Sequence, residues 1–461
     1  LTPPMRKKSF YLLSLALLGV FLITSGIGCK TPNTATQKKM EPIELNYWRV
    51  YDEGDSFDEI VAEYQKFHPN IKINYRKFRY EEYEKKLLNA WAEDRGPDIF
   101  SIPESWIRGY QTKIAPMPAT ITMAFQENRK VFGIKNEVVN ILKTASAPSL
   151  RQIKENFADA VYQNVVIENQ VYGLPLSLET LILFYNKEIL NQAGISQLPS
   201  TWTEFQESVV KTVRYDSEGK ISRAGAAIGT GANVNRAFDI LSVLIMQNGA
   251  TMTNANGQAI FFTSKDKTYN PGIEAVKFYT DFASPAKNVY TWNSQMVNSL
   301  DSFIAGKSAF MFGYNYYLPN IRSGAPQLKF GMAPIPQVNP GAPVNYASYW
   351  VETVSKKSKH SEEAWDFVIF ATTKSDMAKK FLDKTKRPTA LKALINSQLE
   401  DEDLHAAVTQ ILTGANWYRG QNVLAAEEAV IQMIDQVLAA ATEKEITKIL
   451  GNAIKKINQT L

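Results

Sequence analysis

Residues 171–202 read VYGLPLSLETLILFYNKEILNQAGISQLPSTW. Pro175 fixes its own φ and lacks a donor, so Leu174 is pushed toward extended geometry and no helix can run through. The apolar run Leu181 to Tyr185 has the length and composition of a strand. It leads into a short helix, Lys187 to Gln192, that Gly194 stops. Pro199 follows, and Thr201 is placed to cap a helix beginning at Trp202.

Upstream, Ile43 to Val50 alternates apolar and polar residues as a first strand, and Asp52 to Asp55 is the loop it feeds. Ser56 is expected to cap a helix whose apolar face carries Phe57, Ile60, Val61, Tyr64 and Phe67. Ile71 to Phe78 is a second strand, Tyr80 to Glu93 a second helix, and Gly96 to Ser101 a short third strand pointing Ile102 to Trp106 outward. Alternating strand and helix implies a parallel α/β sheet, with ligands at the carboxyl ends of its strands. That rule selects Tyr51 to Asp55 and Ser101 to Trp106. Ala115 to Val165 reads as largely helical. Downstream come a helix at Trp202 to Arg214, a buried strand at Gly225 to Gly231, an apolar helix at Phe238 to Gln247, and an Asn256-Gly257 turn before an extended Ala259 to Phe262.

The chain has 461 residues, 45% of them hydrophobic and 21% charged, enough for two domains or one bilobed unit. Formal net charge is +5, and subtracting Arg6, Lys7 and Lys8 of the leader leaves +2, with both signs interspersed. No nucleic-acid partner is expected from that balance. One cysteine, Cys29, excludes an internal disulfide and a Cys-based zinc site. His68, His360 and His405 are expected to be solvated or capping. Neither a metal nor a cofactor is expected.

From Met5 a basic start, an uncharged apolar run to Gly28 and small residues before Cys29 give a secretory leader over 1–28. Gly26-Ile27-Gly28-Cys29 resembles a bacterial lipobox, which implies lipidation of Cys29; an uncleaved anchor is the alternative, since the run is just long enough to span a bilayer. Residues 29–42, rich in Thr, Gln, Lys and Pro, read as a flexible stalk.

Three short motifs in order, Tyr172 to Pro175, Tyr185 to Lys187 and Pro199 to Trp202, resemble the family 1 extracellular solute-binding proteins of ABC importers, the group of maltose-binding and other sugar receptors. Phe67 to Ile73, Gly306 to Tyr314, Phe330 to Pro336 and Arg387 to Thr389 extend the resemblance from about residue 43 to the end, apart from 115–165. It implies a periplasmic-binding-protein-like α/β fold: lobe one from 43–175 and 334–385, lobe two from 176–333 and 386–461, joined by several hinge crossings with a ligand cleft between. It also implies a monomeric receptor outside the cytoplasm, tethered to the membrane, that delivers a solute to the transmembrane subunits of an ABC permease.

Hydrolase and nucleotide motifs are absent. Gly306-Lys307-Ser308 has Asp301 where a phosphate loop needs glycine, and Gly229-Thr230-Gly231 has Val234 where a dinucleotide fingerprint needs its third. Loop-tip aromatics and carboxylates are present instead, and they suit the C–H faces and hydroxyl edges of a sugar. The candidate ligand residues are Tyr51, Glu53, Glu104, Trp106, Glu179, Asn233, Tyr314, Tyr316, Tyr349, Trp350, Arg387 and Trp417. The expected function is carbohydrate capture, of a mono- or oligosaccharide, without catalysis. An exported carbohydrate-active enzyme and a receptor for a polyamine or peptide are the alternatives.

Overall fold

The computed structural model describes residues 34–131, 135–263 and 268–461. The leader 1–28, the lipobox and Cys29 lie outside them. In the strand Ile43–Val50, Ile43, Leu45 and Tyr47 are buried at alternate positions. It pairs in parallel with Ile71–Phe78 on one side and Ile99–Pro103 on the other. Trp350–Ser355 then pairs antiparallel with Ile99–Pro103, and Ile114–Ala115 closes the edge. A second sheet runs in the order Arg214–Tyr215, Ile221–Ala227, Ser308–Gly313, Ile182–Asn186, Phe330–Pro334. The chain is built as two α/β lobes, each sheet mixed because a strand arriving from the other lobe enters antiparallel.

Between the sheets lies a small linking sheet of Gly414–Ala415, Asn345–Ser348 and Glu179–Thr180. Glu179–Thr180 runs within two residues into Ile182–Asn186 of the second sheet, and Asn345–Ser348 into Trp350–Ser355 of the first. The crossings therefore have paired backbone groups rather than open loops. Interlocked aromatics fill the first lobe: Tyr47 meets Phe57 edge-on at 5.1 Å, and Tyr64 meets Phe367 at 5.2 Å. In the second, Phe205 sits 5.4 Å from Phe310 and 5.5 Å from Phe312.

The opening stretch folds as its residues dictate. Ile182–Asn186 is a strand, Lys187–Gln192 a helix, and Gly194 takes φ +68 at its stop. Thr201 caps Trp202–Thr212 in a capping box, its hydroxyl accepting from the Glu204 N–H at 3.2 Å while Glu204 accepts from the Thr201 N–H at 3.0 Å.

Five local expectations need correction. His68, expected to be solvated or capping, is buried, its Nδ1 2.9 Å from the Ala124 carbonyl. Residues 115–165 are not largely helical: Thr120–Val131 and Lys135–Ser146 form a long antiparallel ribbon, and only Leu150–Asn156 and Asp159–Val165 are helices. The alternation of Ile121, Met123 and Phe125 is a strand signal, and Ile121 and Met123 are buried. The stalk expected over 29–42 includes a helix, Thr34–Lys39, docked on lobe one; Lys39 bonds Glu362 and Glu363 at 2.7 Å each, and Asn70 donates to the carbonyls of Lys39 and Glu41. Ser56 lies in a 3-10 turn, Gly54–Phe57, and the helix after it, Asp58–Gln65, has no side-chain cap. Ala259 to Phe262 is not a strand; one bridge, Thr253 to Ala259, closes the Asn256-Gly257 turn, because Phe261 turns in against Trp417.

Thr201→Ala removes one half of the capping box and should destabilise the protein by about 1 kcal/mol. Urea denaturation followed by circular dichroism measures it.

Candidate functional site

The carboxyl ends of the first sheet's parallel strands and the start of its antiparallel strand meet at one edge, opposite helix N-termini of the second lobe. A cavity of about 190 Å³ lies there. From the first lobe it takes Tyr51, just past Ile43–Val50; Tyr80, at the start of Tyr80–Ala92; Glu104 and Trp106, in the turn after Ile99–Pro103; and Tyr349 and Trp350. From the second it takes Arg236 and Asp239, Tyr316, and Glu427 at the start of Val423–Leu438. Ser177, Glu179, Tyr346, Ser348 and Asn416 come from the linking segments, and Arg387 follows the helix Ser375–Thr385.

The first lobe supplies flat rings. Tyr51 stacks on Tyr80 with centroids 6.0 Å apart and meets Trp350 edge-on at 5.7 Å. Its φ of +72 is a backbone conformation that a bulky residue rarely holds, and its ring is half exposed in the cleft. Trp106 is stacked on Tyr110 at 5.5 Å, which fixes its plane.

Charge enters through two buried arrays. In one, Arg49 bonds Asp52 at 2.8 Å and approaches Glu352 at 3.1 Å, Asp52 accepts from Arg387 Nε at 2.9 Å, and Arg387 Nη1 stands 3.6 Å from Glu179 Oε1. In the other, Asp239 Oδ2 accepts from Arg236 Nε at 2.7 Å and from the Tyr314 hydroxyl at 2.6 Å, while Arg236 lies 3.7 Å from Glu427. Glu179 Oε1 and Asp239 Oδ1 are buried without a hydrogen bond from the protein, the first facing only Arg387 Nη1 at 3.6 Å.

Burial pushes the Glu104 carboxyl up to about 7, against the bond it accepts from the Tyr349 N–H at 3.3 Å. Burial likewise pushes Glu179 up to about 7, against the opposing pull of Arg387.

Of the residues expected from sequence, Tyr51, Glu104, Trp106, Glu179, Tyr316, Tyr349, Trp350 and Arg387 line the cavity. Glu53, Asn233, Tyr314 and Trp417 lie outside that lining. Glu53 is paired with Lys77. Asn233 ties loops together, donating to the carbonyls of Asn293 and Met296 at 2.9 Å and accepting from Trp292 Nε1. Tyr314 is fully buried behind Tyr316, with ring centroids 5.4 Å apart. Trp417 is buried against Phe238, its Nε1 donating to Ser242 at 2.9 Å. Tyr80, Arg236, Asp239, Tyr346 and Glu427 were not singled out by sequence. Tyr80 could have been, because it opens a helix at the carboxyl end of a strand.

The raised carboxyls set a sign for pH. The folded protein holds protons on Glu104 and Glu179 up to about pH 7, whereas the unfolded chain releases them near 4.5. The native state therefore binds more protons between those values, and stability should fall by roughly 1–3 kcal/mol per group as pH rises from 4.5 to 7.5. Denaturant midpoints across that range test this, with Glu104→Gln plus Glu179→Gln flattening the slope.

The family of bacterial extracellular solute-binding proteins matches residues 50–378. A galactooligosaccharide-binding protein of Bacillus subtilis is 22% identical over 406 residues, 85% of this chain and 82% of that one. A multiple sugar-binding protein of Streptococcus mutans is 23% identical over 385 residues, 82% of this chain and 83% of its own. Among solved structures, a cyclic alpha-maltosyl-1,6-maltose binding protein from Arthrobacter globiformis superposes with a TM-score of 0.70 at 18% identity, over 91% of this chain and 99% of that one, a likeness of fold. With the match spanning most of its length and both lobes, the chain belongs to the bacterial extracellular solute-binding proteins.

Proposed function

We propose that this protein is the carbohydrate receptor of an ABC importer, working outside the cytoplasm as a monomer tethered through lipid on Cys29 and handing its ligand to the permease's transmembrane subunits. The observation that carries the reading is the pairing, in one interlobe cavity, of the Tyr51, Tyr80 and Trp350 rings with the Glu179, Asp239, Arg236 and Arg387 polar groups. A sugar ring offers C–H faces to aromatic planes and hydroxyl edges to charged acceptors and donors. Net gains of about 1.5–3 kcal/mol for each bond to a charged group, and about 0.5–1.5 for each ring contact, reach micromolar affinity with a handful of contacts. ATP is hydrolysed on other chains, and closure of the lobes on the ligand is hinge motion at the linking strands.

Holding rather than cleaving is supported by the family and by relatives named as binding proteins.

A thermal-shift screen of the purified full chain against sugars, polyamines and peptides tests the class. The carbohydrate that fits should add about 2.7 kcal/mol of stability at a hundredfold excess over its dissociation constant. A response to polyamines or peptides alone would sink the carbohydrate reading. Trp350→Ala should weaken sugar binding about tenfold, roughly 1.4 kcal/mol, with calorimetry as the measurement.

A further inference from the structure

The cavity carries more acid than its own arginines balance. Four carboxyl groups line it, on Glu104, Glu179, Asp239 and Glu427, against two guanidinium groups, on Arg236 and Arg387. Arg387 is shared between Asp52, at 2.9 Å, and Glu179, at 3.6 Å. The buried array behind it keeps the same sign, since Glu352, Asp52 and Glu179 outnumber Arg49 and Arg387. Arg236 gives its Nε to Asp239 at 2.7 Å and approaches Glu427 only at 3.7 Å. Glu427 is partly exposed and accepts no hydrogen bond among the described residues. Glu104 has no ion pair among them either, and accepts two long bonds, from the Tyr349 N–H at 3.3 Å and Asn416 Nδ2 at 3.4 Å. Arg419 stands behind Asn416, donating to its Oδ1 at 2.9 Å and to the Tyr418 carbonyl, and does not line the cavity.

The excess converges on one hydroxyl. Tyr346 is 4% exposed and lines the cavity, and its hydroxyl has no hydrogen-bond partner among the described residues. Burial, then the charges of Asp239 and Glu104, with Glu427 adding and Arg236 opposing, push that hydroxyl well above its ordinary range. Three acids therefore surround it with a single cation. Rings close the side toward the first lobe: Tyr80 and Trp350 stand 6.2 Å apart at 71°, and Tyr51 stacks on Tyr80. The Tyr80 hydroxyl is raised by burial and next by Glu427, which sets that ring beside the acid across the cleft. Aromatic faces attract cations, and a carboxylate removed from water is costly unless an opposite charge meets it. A neutral sugar supplies hydroxyls but no such charge.

We propose that the ligand carries a protonated amine, bound by Glu427 and the Tyr346 hydroxyl beside the Tyr80 and Trp350 rings, with Glu104 and Asp239 as further counter-charge. An ammonium has three donors and no acceptor, which suits this set of oxygens. On the carbohydrate reading above, on which this rests, the ligand is an amino sugar.

Calorimetric titration of the purified full chain tests it with glucosamine, galactosamine and mannosamine beside glucose, galactose and mannose, a glucosamine disaccharide beside cellobiose, and putrescine and spermidine. In the pair that binds, the amine should be at least about tenfold tighter than its neutral parent. Glu427→Gln should bring the ratio of the two affinities to within about twofold. Tyr346→Phe, which deletes only the hydroxyl, should weaken the amine about fivefold. Melting temperatures check that both variants fold. A neutral parent that binds as tightly as its amine, or a ratio that survives Glu427→Gln in a natively melting protein, overturns the ammonium and leaves the carbohydrate receptor standing. Binding of putrescine or spermidine with no response to any sugar keeps the ammonium and overturns the carbohydrate reading. Silence from every amine overturns the ammonium, whichever neutral sugar binds.

Discussion

Five ionisable groups of alternating sign, Glu352, Arg49, Asp52, Arg387 and Glu179, run in sequence from inside the first sheet to the linking sheet. None could be buried alone, since an unpaired ion in a protein interior neutralises or moves. Each is tolerated because its neighbours supply the opposite sign, and Tyr47 adds a hydroxyl bond to Glu352 at 2.6 Å. Such arrays contribute little net stability compared with apolar packing, but they penalise every arrangement in which a member loses its partner. Here the penalty fixes register. The strand at Trp350–Ser355, the loop after Ile43–Val50, the segment at Arg387 and the linking strand must all arrive together, and the ligand cavity lies at the far end of the line.

The second lobe solves the same problem with fewer groups. Arg236, at φ +61, precedes the helix Ala237–Gln247, and Asp239 in its first turn sits where the helix dipole favours negative charge. Tyr314 supports both, bonding Asp239 and backing Tyr316. The cleft is thus asymmetric, with most of its rings from the first lobe and most of its ions from the second lobe and the linking segments. Bringing the lobes together places a bound molecule between a stacking face and a polar one.

How much of this was legible in the residues follows from the range of each signal. The helix Lys187–Gln192 and the Thr201 cap are local, set by neighbours within four positions, and the sequence pattern places them correctly. The carboxyl-end rule reaches further and finds Tyr51, Glu104 and Trp106, because three strands in parallel must deliver their loops to one edge. Direction at a loop tip is less accessible. Tyr314 and Tyr316 sit close together, as do Trp417 and the lining residues Asn416 and Tyr418, yet one side chain turns into the core and another into the cavity. A shift of one position reverses that choice, and only the tertiary packing selects it. Arg236 and Glu427 escaped for a related reason, since nothing in a helix's own periodicity says what its N-terminal end faces across a gap. The 120–146 ribbon pairs residues up to 26 apart, from Thr120 to Ser146, and Ala124 is buried out of alternation, which blurs the strand pattern.

The docked helix Thr34–Lys39 changes the picture of attachment. Five peptide steps from Cys29 to Thr34 span at most about 18 Å. A lipid on Cys29 would then act as a short leash rather than a long tether, keeping the flank of lobe one that carries Lys39, Glu362 and the neighbouring ribbon near the bilayer surface. A receptor held in that way would pivot about this flank instead of swinging on a long flexible arm.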